Sequence, residues 1–232
     1  MSNDLGNSDV RKHVSSIKEA YEKNLVDKDP NSPEAVYFRG EEKVHLRFKI
    51  LSEIDVLDGK KILDFGCGNA LLLSYLKSKK IHCEYHGWDI SEKMIDIARQ
   101  RHPDGNFRVV DVLHDNLSEY VDYFDLVLIS GVFNGMWGAQ SNIAHERWIQ
   151  KTLLSLWALS KVGISVNFLT KFVDWEDPEL YYCSVDTAIS FVKGLSKRFV
   201  LRHDYGLWEF TLYIYKKIDS PNVKVDRVVS KD

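Results

Sequence analysis

The sequence predicts an α/β fold in which helices flank a mostly parallel β-sheet. Three observations carry that expectation. The first is Lys60 to Leu73, KKILDFGCGNALLL, where a short apolar run meets a Gly-rich turn and then a helical apolar pattern. That is a strand, a tight turn and a helix start. The second is repetition: Asp64, Asp89 and Asp111 each follow or close a short strand-like run. Three acids would then line the carboxyl edge of a parallel sheet, where open α/β sheets bind ligands. The third is Phe124 to Ile129, FDLVLI, a near-continuous apolar run of the kind found in a strand buried on both faces.

In chain order, Met1 to Asn7 is polar and is expected to be disordered. Val14, Ile17, Ala20, Tyr21 and Leu25 fall at helical spacing over Val10 to Leu25, with either Ser8 or Asp9 as the N-cap. Asp27 to Pro33 (DKDPNSP) is a loop, and Glu34 to Leu57 contains a second helical pattern through Val44, Phe48, Ile50, Leu51 and Ile54. Residues 1–57 are thus an N-terminal helical extension, 58–217 an α/β core and 218–232 a loose polar tail, all in one domain.

Within the core, Gly66 and Gly68 suit a turn that needs φ > 0 and close backbone approach to a ligand. The helix that follows, Leu71 to Lys79, offers unpaired N–H groups at its start. Lys77, Lys79 and Lys80 complement its C-terminal dipole. Glu84 to Trp88 is a second strand ending at Asp89, which stands 21 positions after Gly68. An acid about 20 residues beyond a Gly turn is where an α/β nucleoside site places its ribose-hydroxyl acceptor. Ser91 caps a helix over Glu92 to Arg101, which stops at His102-Pro103, with His102 expected at the solvated surface. Phe107 to Val110 is the third strand, and an acid after it, Asp111, suits an adenine amino group.

Asp115 to Tyr123 connects to the fourth strand, and Ser130 to Trp137 (SGVFNGMW) leaves it at the same sheet edge. Asn142 to Ser160 is an amphipathic helix with Trp148 and Trp157 in the core; His145 and Arg147 are expected to be solvated rather than to face a pocket. Gly163 to Thr170 is the fifth strand. Lys171 to Cys183 (KFVDWEDPELYYC) is an irregular insertion, either a wall for an acceptor site or a self-packed Ω-like loop. Asp186 to Leu195 is a helix, Phe199 to His203 opens a terminal hairpin, and Leu207 to Lys216 alternates as a β-strand does.

A nicotinamide fingerprint needs G-x-G-x-x-G, and that frame puts Leu71 at the third glycine; the G-x-G-x-G frame puts Ala70 there, a smaller departure. At these residues, LDFGCGNA (Leu63 to Ala70), WDIS (Trp88 to Ser91), VVDV (Val109 to Val112) and FDLVLISGVFN (Phe124 to Asn134), the chain resembles the class I S-adenosylmethionine-dependent methyltransferases. The resemblance covers roughly Lys60 to Thr170. It implies a three-layer Rossmann-like methyltransferase fold, a mostly parallel seven-stranded sheet with an antiparallel C-terminal strand. It also implies S-adenosyl-L-methionine as cofactor. By the same resemblance Gly66, Cys67, Gly68 and Ala70 form the turn beside methionine and ribose, and Asp64 orders it. Asp89 holds the ribose hydroxyls, Asp111 and the Val112 backbone hold adenine, Ile90 and Met94 pack on it, and the Ser130 carbonyl meets the methionine ammonium. An N-terminal extension in this family often closes as a lid; Tyr37, Phe38, Arg39 and His45 are lid candidates, beside the alternative that they pack or solvate an extra helix pair.

Composition narrows the function. The 232 residues carry a formal charge of −3, which points away from a nucleic-acid surface. Cys67, Cys83 and Cys183 form no CxxC pair and no zinc spacing, so no metal is expected and the thiols read as reduced. No apolar run reaches the length of a membrane span and the N-terminus lacks a signal-peptide apolar region. A soluble, cytoplasmic protein with no membrane partner is expected. A transferred methyl must meet an acceptor atom held in line, and a hydroxyl or ammonium acceptor must also lose a proton. Candidates near that chemistry are Asn134, Tyr181 and His203, with Asn167, Tyr182 and Asp174 behind them. His203 and Asp204 are neighbours on a strand and point to opposite faces. The leading expectation is methyl transfer to oxygen or nitrogen of a small molecule, a sugar or secondary metabolite. A protein or RNA methyltransferase and a non-catalytic cofactor-binding subunit are the alternatives.

Overall fold

A computed structural model of the chain describes residues 2–139 and 141–216, with the backbone alone for residues 2–9. The predicted tail at 218–232 lies outside the described residues. Helix α1 spans Ser2–Asn24, so the expected disorder over the first seven residues is corrected from residue 2 onward. Ser8 and Asp9 fall inside that helix rather than at its start. A 3₁₀ turn at Pro33–Val36 leads to α2, Glu41–Ser52. The core then alternates: β1 Lys61–Phe65, α3 Leu71–Ser78, β2 Glu84–Asp89, α4 Glu92–Arg101, β3 Asn106–Val109 and β4 Phe124–Ile129. After these come α5 Asn142–Leu159, β5 Ser160–Thr170, a two-residue β6 Tyr182–Cys183, α6 Val185–Lys193, β7 Phe199–Arg202 and β8 Glu209–Tyr215.

The strands form one sheet in the order β3-β2-β1-β4-β5-β8-β7, with β6 beside β5. Strands β1 to β5 are mutually parallel, and β8 runs antiparallel to both β5 and β7. The seven strands of the main path and their antiparallel end match the expectation. The chain winds outward from β1 to β3 on one side, then returns to β4 on the other. Loops leaving β1 and β4 therefore diverge, and the crevice between them is a topological switch point.

Strand periodicity separates two cores. Ile62, Leu126 and Leu128 face one side, against Val44, Phe48 and Leu51 of α2, Leu72 and Leu76 of α3, and Ile95 and Ala98 of α4. Leu63, Val127 and Ile129 face the other, against Trp148, Ile149 and Leu153 of α5 and Phe191 of α6. Val10 and Ile17 of α1 join this second core. Each fully buried aliphatic or aromatic side chain contributes about 1.5–3 kcal/mol. The layers are thus helix, sheet, helix. Ser91, Ser141 and Ser184 each accept from an N–H of the following helix's first turn, Ser91 as the sequence predicts.

Two histidine expectations are corrected. His145 is fully buried: its Nδ1 lies 2.9 Å from His13 Nε2 and its Nε2 lies 3.0 Å from the Phe133 carbonyl. Helix α1 covers the face of α5 that the sequence alone leaves open to water. His102 is only half-exposed, with Nε2 2.9 Å from Ser74 Oγ, and burial together with Lys77 and Arg101 holds its pKa down near about 4.

Candidate functional site

The turn after β1 is built by its glycines. Gly66 and Gly68 sit at φ 71 and φ 50, in the left-handed region that costs a glycine least. A Cβ on Gly66 would stand 2.3 Å from Val132 Cγ2, and one on Gly68 2.8 Å from Val36 Cγ1. The turn therefore needs glycine for space as well as for φ. Ala70 follows at φ 58, a left-handed alanine where the G-x-G-x-G frame would put glycine.

Hydrogen bonds then tie the turn to β2. The N–H groups of Gly66 and Cys67 donate to the Trp88 carbonyl at 2.7 and 3.0 Å. Gly68 N–H donates to Asp89 Oδ2 at 2.9 Å, and Ser91 N–H donates to Asp89 Oδ1 at 2.9 Å. One carboxylate thus fixes both the turn and the entrance to α4. Asp64, expected to order the turn, instead accepts the Tyr85 hydroxyl. It is 2% exposed, and burial pushes its pKa up to about 7, with the Tyr85 hydrogen bond opposing and the Asp89 charge adding. Asp111 accepts from Leu113 N–H at 3.0 Å and meets His114 Nδ1 at 2.8 Å.

These groups face one cavity of about 960 Å³, its open mouth included, the size of a cofactor or drug-sized site. Asp64, Gly66, Cys67, Gly68, Asp89, Ile90, Asp111, Val112 and Ser130 all line it. Met94 does not; it is buried at 1% exposure on the inner face of α4. Sequence reasoning looked for a lid at residues 37–45 and missed the part of the roof that α1 supplies. Val14, Ile17 and Tyr21 of α1 close one side, and Val36, Phe38 and Phe48 another. Trp148 and Thr152 of α5 complete the far wall. The helical stripe through residues 14, 17 and 21 was legible, but a stripe does not say what it faces. Of the lid candidates, Phe38 lines the cavity, whereas Tyr37 is 43% exposed and Arg39 and His45 are exposed.

The cavity suits a nucleoside with a charged tail. Ile90, Val110, Val112 and Trp148 give the lining apolar surface, and Asp89 and Asp111 add carboxylates to it. Ser130 Oγ and Thr152 Oγ1, both on lining residues, are buried without a hydrogen-bond partner, which marks space shaped for a polar ligand.

The three catalytic candidates do not converge on one point. Tyr181 N–H donates to the Asn134 carbonyl at 2.8 Å, so these two are neighbours. The Tyr181 hydroxyl donates to Glu146 at 3.0 Å, and burial drives its pKa far above the ordinary phenol value. His203 is exposed with its ring 5.6 Å from that of Phe172, and Asp204 pairs with Arg202 at 2.7 Å rather than with His203. None of the three lines the cavity. Instead Arg47 of α2 crosses toward the sheet edge, lying 4.4 Å over the Phe38 ring and binding Glu209 through Nε and Nη2 at 2.7–3.0 Å. Among the described residues there is no group of three or more metal-ligating side chains, and no helix is long and apolar enough to cross a membrane.

Comparison with known proteins agrees with this geometry. A family model described as a methyltransferase domain matches residues 63–152. A Mycobacterium tuberculosis chain, Rv1506c, which carries a methyltransferase name, is 31% identical over 169 residues, covering 70% of this chain and 97% of that one. The demethylmenaquinone methyltransferase of Bacillus subtilis is 34% identical over 87 residues, covering 36% of this chain and 37% of that enzyme. The fold is also that of magnesium protoporphyrin IX methyltransferase from Synechocystis, solved with bound S-adenosylhomocysteine, at 15% identity and TM-score 0.57, covering 86% of this chain and 93% of that one. A Gly turn, an acid on each of three strand ends, and these relatives lead to one conclusion: the chain belongs to the class I S-adenosylmethionine-dependent methyltransferases, enzymes with a Rossmann-like fold.

Proposed function

We propose that this methyltransferase acts on an oxygen or nitrogen atom of a small-molecule acceptor. The observation that carries the reading is the roof: α1, the 3₁₀ turn and α2 close over the cavity with Val14, Ile17, Tyr21, Val36, Phe38 and Phe48, leaving a site sized for small ligands. The formal charge of −3 favours no polyanionic partner. Relatives whose names state an acceptor, demethylmenaquinone and magnesium protoporphyrin IX, act on small molecules.

In this reading the Gly66–Gly68 turn and Cys67 hold the methionine and ribose portion. Asp89 accepts from the ribose hydroxyls with the lone pairs its two backbone donors leave free. Asp111 and the Val112 backbone read adenine, Ile90 packs on it, and the Ser130 carbonyl accepts from the methionine ammonium. The cofactor, when bound, supplies a methyl on a sulfonium, which is its own leaving group. The protein's work is then to hold the acceptor in line and to keep water out. The α1 roof performs the exclusion. Asn134, half-buried in the loop after β4, is the acceptor-facing candidate, and the buried Tyr181 holds that loop by donating its N–H to the Asn134 carbonyl.

The test is to incubate the enzyme with methyl-labelled cofactor and a cell extract split into small-molecule and macromolecular fractions. Label in the small-molecule fraction is expected; label confined to protein or RNA would overturn the reading. An Asp89→Ala control should bind S-adenosylhomocysteine about 1–3 kcal/mol more weakly, the loss of hydrogen bonds to a charged partner.

A further inference from the structure

The roof helix is held by an unusual contact. His13 Nδ1 lies 3.1 Å from the Trp137 carbonyl, its Nε2 lies 2.9 Å from His145 Nδ1, and His145 Nε2 lies 3.0 Å from the Phe133 carbonyl. The chain runs carbonyl, imidazole, imidazole, carbonyl. Carbonyls only accept, so three hydrogen bonds need three protons, and two neutral imidazoles supply two. A third proton would complete the chain but would place a cation where His13 is 4% exposed and His145 fully buried.

Among the described residues no carboxylate pairs with either ring. On α1 the flanking Arg11 and Lys12 are exposed and of the same sign. On α5 Arg147 is exposed, while Glu146 is engaged by the Tyr181 hydroxyl. Tyr181, whose ring lies 4.7 Å from that of His145, stays a neutral phenol, and the Cys183 thiol near it is pushed up to about 12 by burial. Phe133 and Trp137 offer only carbonyls, and Trp148 packs its ring 5.0 Å from His13. Burying an unpaired charge costs more than one added hydrogen bond returns. The closed pair is therefore neutral and one proton short.

Residues 14, 17 and 21, which line the cavity, ride on the same helix as His13. We propose that His13 and His145 are positioning residues: a neutral imidazole pair that latches α1 over the cofactor cavity and that acid releases by protonating His13 once α1 lifts. This rests on the reading of α1 as the roof of a cofactor site. Burial lowers the pKa of both rings, that of His145 to about 4, whereas a solvated histidine titrates near 6.5. The open form therefore takes up protons first. Closure is fully supported above about pH 6.5 and is lost as pH falls below it toward 4.

The experiment is calorimetric titration with S-adenosylhomocysteine from pH 8 to pH 5, for the wild type and for a His13→Asn, His145→Gln double variant. Asparagine keeps an N–H for the Trp137 carbonyl and glutamine keeps one for Phe133, but neither titrates. Because Asp64 and His102 also titrate near the site, the readout is the difference between the two proteins. The wild type should lose about tenfold more affinity than the variant between pH 7 and 5.5. An equal slope, or wild-type affinity that tightens in acid, overturns the latch while leaving the cofactor site in place. No binding at pH 8 by the wild type would remove the cofactor reading itself. Should the double variant not fold, ¹⁵N spectra of the wild-type histidine rings in the S-adenosylhomocysteine complex at pH 6 decide the matter. Both rings neutral support the latch, and an imidazolium in the closed complex overturns it.

Discussion

Asp64 shows how far a single side chain can depart from its ordinary chemistry. Its carboxyl is buried against Tyr85 with a pKa raised to about 7 from 3.8, so the folded chain holds a proton that the unfolded chain has released. Stability is then fully present below about pH 4 and is lost as pH rises toward 7, by at most about 1.4 kcal/mol per pH unit in that window. Asp64→Asn, which can still accept the Tyr85 hydroxyl, removes the titration. Its stability relative to the wild type, measured by urea denaturation, should grow from pH 4 to pH 7 and level off above; a gap that does not change with pH would refute this. At this scale the sequence spoke clearly where the requirement was local. Gly66 and Gly68 are demanded by backbone shape, and Asp89 by its distance from them. The partnership of Asp64 and Tyr85 spans two strands, and no local pattern contains it. Met94 shows the opposite error: an apolar residue near the site was legible as apolar, but its helical face buried it away from the cavity.

Between elements, the decisive join is Arg47 of α2 with Glu209 at the start of β8, at 2.7 Å and with Glu209 only 1% exposed. A paired buried charge adds little net stability, but stripping away its partner costs about 3–5 kcal/mol. Arg47→Met should therefore destabilise the fold by about that much in denaturant titration, while Arg47→Met with Glu209→Gln should recover more than half. An additive double variant would show that the pair is not coupled. Element types and most boundaries were readable because strand and helix periods differ and Ser91 marks a helix start. The extent of α1 was not, since its first residues are mostly polar. Nor was its docking on α5. Helical spacing shows that a face is apolar, but the partner of that face is fixed by tertiary packing, which also explains the burial of His145.

For the molecule as a whole, the switch point between β1 and β4 gathers the turn, the three acids and the roof into one place. Ligand bound there belongs to the folded state alone. At a hundredfold excess over Kd, S-adenosylhomocysteine should stabilise the chain by about 2.7 kcal/mol, a rise of roughly 5–10 °C in Tm for a domain of this length. NAD should produce none; a shift with NAD alone would contradict the family assignment. The global topology was the most legible level of all, because a strand closed or followed by an acid recurs at Asp64, Asp89 and Asp111 and each repetition confirms the others.

The roof has a consequence for time as well as affinity. With α1 laid along one side of the cavity, we expect exchange of the cofactor to require that helix to swing aside. Exchange is then gated, so the pace of association levels off at high cofactor concentration, at the frequency with which the helix opens. The spent cofactor waits behind the same gate, and its residence time, rather than the methyl transfer itself, would set the turnover of the enzyme.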